Sequence, residues 1–370
     1  MAGLYFHIPF CKRICGYCDF YRSVELKYLP DVVSAMHKEM DEQSDFLNDK
    51  SLKTIYFGGG TPSLLMPNEF SRFIDHADLL FDCQGVGEIT IEANPDDIDK
   101  RYVEELSHTA VNRVSLGVQS FNDAELRFMN RRHSAAQAVN AVKRLQDSGI
   151  ENITIDLIFG VAGFGEQTLL ESLSETLKLG VKHISAYHLT IEPQTAFGRK
   201  ASRGELKEIS DEQSELEYGL VETVLTAAGY EHYEVSNYAL QGYRSRHNSS
   251  YWHGAEYLGI GAGAHSFNST SRRWSQQPLK EYITNREYEC EELSLIDRYN
   301  EYLMTNLRCV EGLDLEFIEK NFGPEYRSKL IEQSKTWIES QDLVIQGSFL
   351  RIPTTKFLRS DAVISSLFEV

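Results

Sequence analysis

The chain has 370 residues, of which 42% are hydrophobic and 25% are charged, a composition typical of a globular protein of about two domains. Asp and Glu number 55 against 37 Lys and Arg, which gives a net charge of −18. Such an acidic surface repels phosphate backbones and anionic lipid headgroups, so the composition argues against generic binding to nucleic acid or to membrane surfaces.

The chain carries no candidate membrane segment and no recognisable targeting segment. Its apolar runs fall short of the roughly 20 residues that cross a bilayer, and its first residues lack the basic and apolar regions of a signal peptide. We therefore expect a cytoplasmic protein. Three of the six cysteines fall within eight residues, and in a reducing compartment such clustering indicates metal or redox chemistry. The other three, Cys83, Cys290 and Cys309, are expected to be small core residues.

Short apolar runs alternate with helical patterns through the first half of the chain. The runs lie at residues 3–8, 53–60, 88–95, 113–120, 153–160 and 183–190. Each is rich in β-branched or aromatic residues and ends in Gly, Pro or polar residues, as buried strands do. Strands that alternate with helices predict a parallel sheet. We expect an α/β fold, an open (β/α)6 partial barrel, with its chemistry at the carboxyl ends of the strands.

Three of the intervening helices have clear boundaries. A capping box at Ser134–Gln137 opens the first, and a leucine-rich helix ends at Gly180. The third begins at Ser210 and ends at Gly229, and its apolar stripe is predicted to comprise Leu216, Leu220, Val224 and Ala228.

The character of the chain changes after the sixth strand. We expect the partial barrel over residues 1–230, an aromatic- and His-rich segment that continues the core over 231–294, and a small C-terminal domain over 295–370. The last region shows helical patterns around 298–309, 314–321 and 325–340 and a hairpin at 343–352 that turns at Gly347. This order suggests an α+β, winged-helix-like shape. Nine basic against twelve acidic residues over 297–370 argue against DNA binding.

Cys11, Cys15 and Cys18 directly follow the first predicted strand. Three thiolates on a short loop can each bind one iron of a cubane cluster, which leaves the fourth iron open to a small chelating molecule. The alternative is a zinc site, which usually requires four ligands. His7 could supply the fourth, although it lies within the predicted strand. The spacing favours a [4Fe–4S] cluster.

The strings YFHIPFC, FGGGTP, EANP, LGVQSF, DLIFG and YLGIGAGAHS extend this pattern over nearly the whole chain. Together with the cysteine loop, they resemble the radical S-adenosylmethionine (SAM) superfamily, within it the oxygen-independent coproporphyrinogen III oxidase-like group. A further string, HNSSYW at 247–252, is similar to one in the heme chaperone branch of that group. The resemblance implies a [4Fe–4S] cluster, SAM and heme as bound groups. It also implies an electron donor for the cluster and acceptor hemoproteins as partners.

Polar and glycine residues at successive strand ends predict the SAM site. Glycines at 58–60 allow close approach of a ligand to the backbone, and Glu92, Gln119 and Asp156 could bond ribose hydroxyls or the amino-acid part of SAM. Arg131 could pair with its carboxylate. Each alone could be an ordinary polar group on the barrel rim. The resemblance implies SAM contacts for Tyr5, Tyr17, Gly59, Gly60, Thr61, Glu92, Gln119, Arg131 and Asp156.

The HNSSYW string suggests heme binding through His247, Tyr251 and Trp252. A neutral imidazole is a common axial ligand of heme iron, and aromatic rings suit the porphyrin face. Composition alone favours an exposed loop histidine beside packing aromatics. The resemblance implies instead that this string binds heme, with His247 as the axial ligand.

Two departures separate the chain from the oxidases that it resembles. Phe20 stands where the oxidases carry a fourth cysteine, and only four residues precede Tyr5 where the oxidases have a longer segment. The expected function is therefore a heme chaperone that delivers heme to hemoproteins, with the cluster and SAM controlling its state. The alternatives are oxidative decarboxylation of coproporphyrinogen III and a zinc-stabilised binding protein without SAM.

Overall fold

A computed structural model describes residues 2–369, built around a twelve-stranded sheet. At its centre, six parallel strands lie side by side in chain order. They are β1 (Ala2–Ile8), β2 (Leu52–Gly59), β3 (Glu88–Ala93), β4 (Arg113–Gln119), β5 (Ile153–Phe159) and β6 (His183–His188). The predicted strands and the (β/α)6 partial barrel are confirmed. The carboxyl ends of all six strands meet at one edge of the sheet, where ligands bind in such folds.

Helices connect and cover these strands. They are α1 (Leu29–Gln43), α2 (Pro67–Leu80), α3 (Lys100–Leu106), α4 (Asp123–Phe128), α5 (Ala135–Asp147), α6 (Gly165–Leu179), α7 (Ala196–Ser202) and α8 (Asp211–Ala227). The predicted capping box opens α5, because Ser134 Oγ accepts from the backbone of Gln137 and the Gln137 side chain accepts from the backbone of Ser134. Gly180 ends α6 with a φ of 63°, as predicted.

The apolar stripe predicted for α8 is confirmed for Leu220 and Val224, which pack against the core, but it is wrong for Leu216 and Ala228. Leu216 is 51% exposed, whereas Tyr218 and Leu225 are buried. Helix α8 carries apolar side chains around most of its circumference, so periodicity alone does not distinguish adjacent faces. Glu217 lies on the inward face of α8, where its carboxylate accepts a hydrogen bond from the backbone N–H of Gly160 over 2.8 Å.

The segment after α8 extends the sheet at both edges. Its elements are β7 (Glu231–Glu234), β8 (Asn237–Ala239), α9 (Arg246–Trp252), β9 (Glu256–Ile260), β10 (His265–Phe267), β11 (Ser271–Trp274), α10 (Leu279–Thr284) and β12 (Glu289–Glu292). Strand β8 joins β6, and β9 joins β1 in parallel, followed by β10, β11 and β12. The HNSSYW string forms α9 and not the loop that composition predicts, because Ser245 Oγ caps the helix.

The C-terminal region holds four helices and a small antiparallel sheet. Its elements are α11 (Leu295–Asn306), β13 (Leu313–Asp314), α12 (Leu315–Asn321), α13 (Pro324–Glu339), β14 (Val344–Gln346), β15 (Phe349–Arg351) and α14 (Ser360–Ser366). Gly347 turns the predicted hairpin with a φ of 64°. The domain boundaries at 230 and 294 stay predictions.

Two of the three cysteines outside the cluster loop, Cys83 and Cys309, lie in or against the core. Cys309 is buried, but Cys83 is half-buried and Cys290 is exposed on β12, at the end of the sheet. The prediction of three core cysteines was therefore wrong for Cys290.

Candidate functional site

A cavity of about 370 Å³ lies at the carboxyl ends of the six parallel strands. We call it the cysteine cavity. Its walls include most of the residues that the sequence predicts for the cluster and SAM: Cys11, Cys15, Tyr17, Cys18, Gly59, Gly60, Thr61, Glu92, Gln119, Arg131 and Asp156. The topology brings together side chains that lie up to 145 residues apart in the sequence, between 11 and 156.

The cysteine loop is tied to the segment that follows α4. The backbone N–H of Gly16 donates to the carbonyl of Met129 over 3.0 Å. Arg131 Nη1 donates to the sulfur of Cys15 over 3.1 Å.

Burial controls the protonation of the other two thiols. It raises the pKa of Cys11 and of Cys18 above that of a free thiol. The hydroxyl of Thr61 also donates to Cys11 Sγ over 3.4 Å. Within residues 2–369, no three His, Cys, Asp or Glu side chains converge as ligands of a single metal ion. A cubane cluster does not require such convergence, since each thiolate binds a different iron.

Two glycines bring the backbone of the second strand end close to the cysteine loop. Gly59 has a φ of 101°, which favours glycine. A Cβ on Gly60 would lie 2.7 Å from backbone atoms of Ile8 and Phe10, which lead into the loop. A larger residue at Gly60 would therefore displace the loop.

Two half-buried carboxyls line the cavity. Glu92 accepts from Tyr56 Oη over 2.8 Å and from the backbone of Gly59 over 3.1 Å. Burial raises its pKa to about 7, and the charge of Asp156 contributes. Burial also raises the pKa of Asp156 to about 6, although Ser115 donates to it over 3.2 Å. Both carboxyls would be stabilised in their ionised form by a ligand with donors or positive charge.

The sequence reasoning missed Asn94, which links Arg131 to the glycine segment. Asn94 accepts from Arg131 Nη2 over 2.5 Å and donates to Thr61 Oγ1 over 3.2 Å. The sequence did contain a signal for Asn94, which directly follows the third strand in the EANP string. Gln119, at the next strand end, has a φ of 70°, which is uncommon outside glycine. Such backbone strain often accompanies ligand sites.

Tyr5 is not among the residues that line the cysteine cavity, and its contact with SAM stays a prediction. Its hydroxyl is hydrogen-bonded to His7 Nδ1 at 3.1 Å, and it lines a second cavity. The other nitrogen of His7 is hydrogen-bonded to the carbonyl of Tyr21 at 2.9 Å. As folded, His7 therefore has no free nitrogen with which to complete a zinc site.

His247 is buried, and both of its ring nitrogens are engaged. Nδ1 is 2.7 Å from Thr54 Oγ1, and Nε2 is 2.7 Å from the hydroxyl of Tyr251. Its ring stacks on Tyr56 at 4.8 Å between centroids. Burial lowers its pKa to about 3, so the ring is neutral. As folded, His247 could bind a heme iron only if the iron replaced one of these hydrogen bonds, and its role as axial ligand stays a prediction.

The second cavity, of about 910 Å³, lies between the β1 edge of the barrel and the C-terminal region. We call it the aromatic cavity. Side chains of α9, β9 and β10 line one side, and side chains of α11 and α12 line the other. Tyr251 and Trp252 of the HNSSYW string belong to its wall, whereas His247 lies behind Tyr251. Phe20, 68% exposed, borders both cavities.

Comparison with known proteins shows the family to which this chain belongs. The sequence model of the Radical SAM superfamily matches residues 5–175, and that of the HemN C-terminal domain matches 293–354. The heme chaperone HemW of Lactococcus lactis is 35% identical over 92% of this chain and 90% of its own length. The chain belongs to the HemW family. The HemW of Bacillus subtilis is 35% identical over 76% of this chain and 75% of its own.

A solved structure shares the fold. Coproporphyrinogen III oxidase (HemN) from Escherichia coli, a radical SAM enzyme, superposes with a TM-score of 0.84 over 99% of this chain and 90% of its own, at 20% identity. As a HemW family member of the radical SAM superfamily, the chain uses a [4Fe–4S] cluster and SAM. No helix within residues 2–369 has the length and apolar character needed to span a membrane.

Proposed function

We propose that this protein is a heme chaperone on a radical SAM scaffold, which binds heme and passes it to acceptor hemoproteins. The observation that carries the proposal is its 35% identity, over 92% of the chain, to a protein named as a heme chaperone. The aromatic cavity supports it, because its size lies within the range of about 300–1,000 Å³ that is usual for ligand sites.

The cluster is assigned to Cys11, Cys15 and Cys18. Their thiols line one cavity, and Arg131 and Thr61 donate hydrogen bonds to two of the sulfurs. When bound there, the cluster with SAM on its open iron supplies one-electron chemistry. Since burial raises the pKa of two of the thiols, cluster assembly releases protons as their thiolates form.

The rest of SAM is assigned to the other walls of the cysteine cavity. Gly59 and Gly60 let the backbone approach the amino-acid part, while Glu92 and Asp156 accept from its ammonium or ribose hydroxyls. Arg131 holds the cysteine loop and contributes positive charge towards a carboxylate. Tyr17, Thr61 and Gln119 complete the wall, and Asn94 joins this set.

The function requires partners beyond heme. A donor must deliver electrons to the cluster, and hemoproteins without heme must accept the cargo. We place the protein in the cytoplasm, where three reduced thiols persist without forming disulfides. The alternative, oxidation of coproporphyrinogen III, shares the fold, but no feature of either cavity favours it over heme binding.

Two assays on one anaerobically reconstituted sample test the proposal. Hemin titration, followed by mixing with an apo-hemoprotein, should show heme binding and then transfer that is faster than from free hemin. Incubation with coproporphyrinogen III, SAM and a reductant should yield no protoporphyrinogen. Absence of hemin binding, or formation of that product, would overturn the proposed function.

A further inference from the structure

Three stacked rings lie next to Glu92 of the cysteine cavity. Tyr5 on β1 and Tyr56 on β2 are opposite each other in the sheet, and their ring centroids lie 6.0 Å apart with 30° between the ring planes. His247 on α9 completes the stack, at 4.8 Å and 20° from Tyr56 and at 6.3 Å and 25° from Tyr5. Stacked rings at such distances attract each other, so the three rings orient one another.

The middle ring of the stack is bonded to Glu92. The hydroxyl of Tyr56 donates to Glu92 Oε1 over 2.8 Å and forms no other hydrogen bond within the described chain. The backbone N–H of Gly59 donates to the other oxygen, Oε2, over 3.1 Å. The packing is tight here, because a Cβ on Gly58 would lie 2.9 Å from Tyr56 Cε1 and 3.0 Å from both Glu92 Oε1 and Tyr5 Cε2. The position of the Tyr56 ring therefore sets the position of one carboxylate oxygen.

His247 is itself held in one place. Both of its ring nitrogens are hydrogen-bonded, and its backbone N–H donates to Glu88 over 2.9 Å. A Cβ on Gly3 would lie 3.3 Å from the ring, which leaves no room on that side. The side chain is 1% exposed and neutral, so it acts on Tyr56 through the face of the ring and not through a charge.

Helix α9 is anchored on the two strands that carry this part of the SAM site. The backbone N–H of Arg246 also donates to Glu88, over 3.0 Å. Glu88 begins β3, and Glu92 lies near the end of the same strand. Thr54, the partner of His247 Nδ1, belongs to β2, which ends in the glycine segment. The first turn of α9 is therefore fixed to both strands whose ends line the cysteine cavity.

We infer that His247 is a positioning residue of the SAM site: its ring holds Tyr56, and Tyr56 holds the carboxylate of Glu92 in place for SAM. The inference rests on the assignment of SAM to the cysteine cavity. It gives the first residue of the HNSSYW string a role that requires no contact between His247 and a ligand.

Two substitutions at His247 separate the ring from its hydrogen bonds. His247→Phe and His247→Leu both remove the two nitrogens, but only His247→Leu removes the flat face that stacks on Tyr56. In anaerobic calorimetry of the full-length, cluster-loaded protein, His247→Leu should weaken SAM binding about 10-fold, since a hydrogen bond to a charged group is then misplaced. His247→Phe should bind SAM nearly as tightly as the wild type, although both variants should unfold at lower urea concentration.

A second buried histidine provides the matched control. His232 is 4% exposed and stacks on Tyr238 at 4.1 Å between centroids, but it lines neither cavity. His232→Leu should lower the stability of the fold and leave SAM affinity unchanged.

A double-mutant cycle with Glu92→Gln shows whether the effect passes through the carboxylate. In the Glu92→Gln background, His247→Leu should weaken SAM binding by less than about twofold, because substitutions that act through one contact are not additive. Should His247→Leu fail to load a cluster, His247→Asn lacks the ring but keeps a polar atom for Thr54, and the same results are expected of it.

The outcomes separate this inference from the placement of SAM. If Glu92→Gln keeps wild-type SAM affinity, the carboxylate does not contact SAM, and the placement fails together with the inference. If Glu92→Gln weakens binding but His247→Leu does not, the placement stands and the inference is wrong. Equal losses in His247→Leu and His247→Phe, or an undiminished effect of His247→Leu in the Glu92→Gln background, would show a general structural role and overturn the inference.

Discussion

The ionised carboxylate of Glu92 destabilises the fold when SAM is absent, and we expect it to contact SAM when SAM is bound. Glu92→Gln removes this charge. Burial, aided by the charge of Asp156, raises the pKa of Glu92 from 4.5 to about 7. A carboxyl whose pKa is higher in the folded state than in the unfolded state stabilises the fold at pH values below its unfolded-state pKa. This stabilisation is lost as the pH rises through its folded-state pKa. At about 1.4 kcal/mol per unit, the shift makes the ionised carboxylate cost about 3 kcal/mol at pH 8.

Glutamine has nearly the same shape as glutamate and carries no charge. Its carbonyl can accept from the Gly59 N–H and its amide can donate to Tyr56 Oη, so both contacts persist, with the Tyr56 hydroxyl accepting where it donated to Glu92. The free energy of unfolding of Glu92→Gln without SAM should therefore exceed that of the wild type by up to about 3 kcal/mol at pH 8. The difference should shrink to about 1 kcal/mol at pH 5, measured by anaerobic urea unfolding.

The same variant should bind SAM more weakly. Loss of a hydrogen bond to a charged group costs about 1–3 kcal/mol, which corresponds to a loss of affinity of about 5- to 150-fold in anaerobic calorimetry. Glu125→Gln is the matched control. Burial also raises the pKa of Glu125 to about 7, but this carboxyl lies outside both cavities. It should gain comparable stability at pH 8 and keep wild-type SAM affinity.

Two outcomes would refute this reasoning separately. Wild-type SAM affinity in Glu92→Gln would show that the carboxylate does not contact SAM. If Glu125→Gln were stabilised at pH 8 but Glu92→Gln were not, ionisation of Glu92 would not lower the free energy of unfolding of the wild type.

The remaining predictions concern the cluster, the glycine segment and pH. Replacing Cys11, Cys15 and Cys18 by Ala in one variant should abolish anaerobic incorporation of iron and sulfide. A full cluster in that variant would place the ligands elsewhere. Replacing the other three cysteines by Ala is the control and should leave cluster loading intact. Gly60→Ala should cost about 1–3 kcal/mol and impair cluster loading, because its Cβ meets backbone at 2.7 Å. Gly219→Ala, whose Cβ meets no atom within 4 Å, should load normally, and equal loading in both would contradict the steric argument. SAM affinity should fall as the pH drops through about 7 to 6, where the two half-buried carboxyls take up protons, and a flat profile would argue against both contacts.

The sequence by itself determined the features that depend on neighbouring residues. The fourth strand, predicted over 113–120, is Arg113–Gln119, and the capping box at Ser134 forms as predicted. Such features follow from side-chain alternation and from bonds between residues three or four positions apart. The spacing of Cys11, Cys15 and Cys18 likewise predicted a cluster loop, and the parallel topology then implied that the strand ends after it would meet.

The tertiary structure alone decided which side chains are free to bind a ligand. His247 and Thr54 are 193 residues apart, and their hydrogen bond engages a buried imidazole that the sequence alone presents as a heme ligand. No local pattern reports such a contact, because it arises only when β9 closes on β1 and brings α9 with it. The aromatic cavity has the same origin, since its walls come from the barrel edge and from α11.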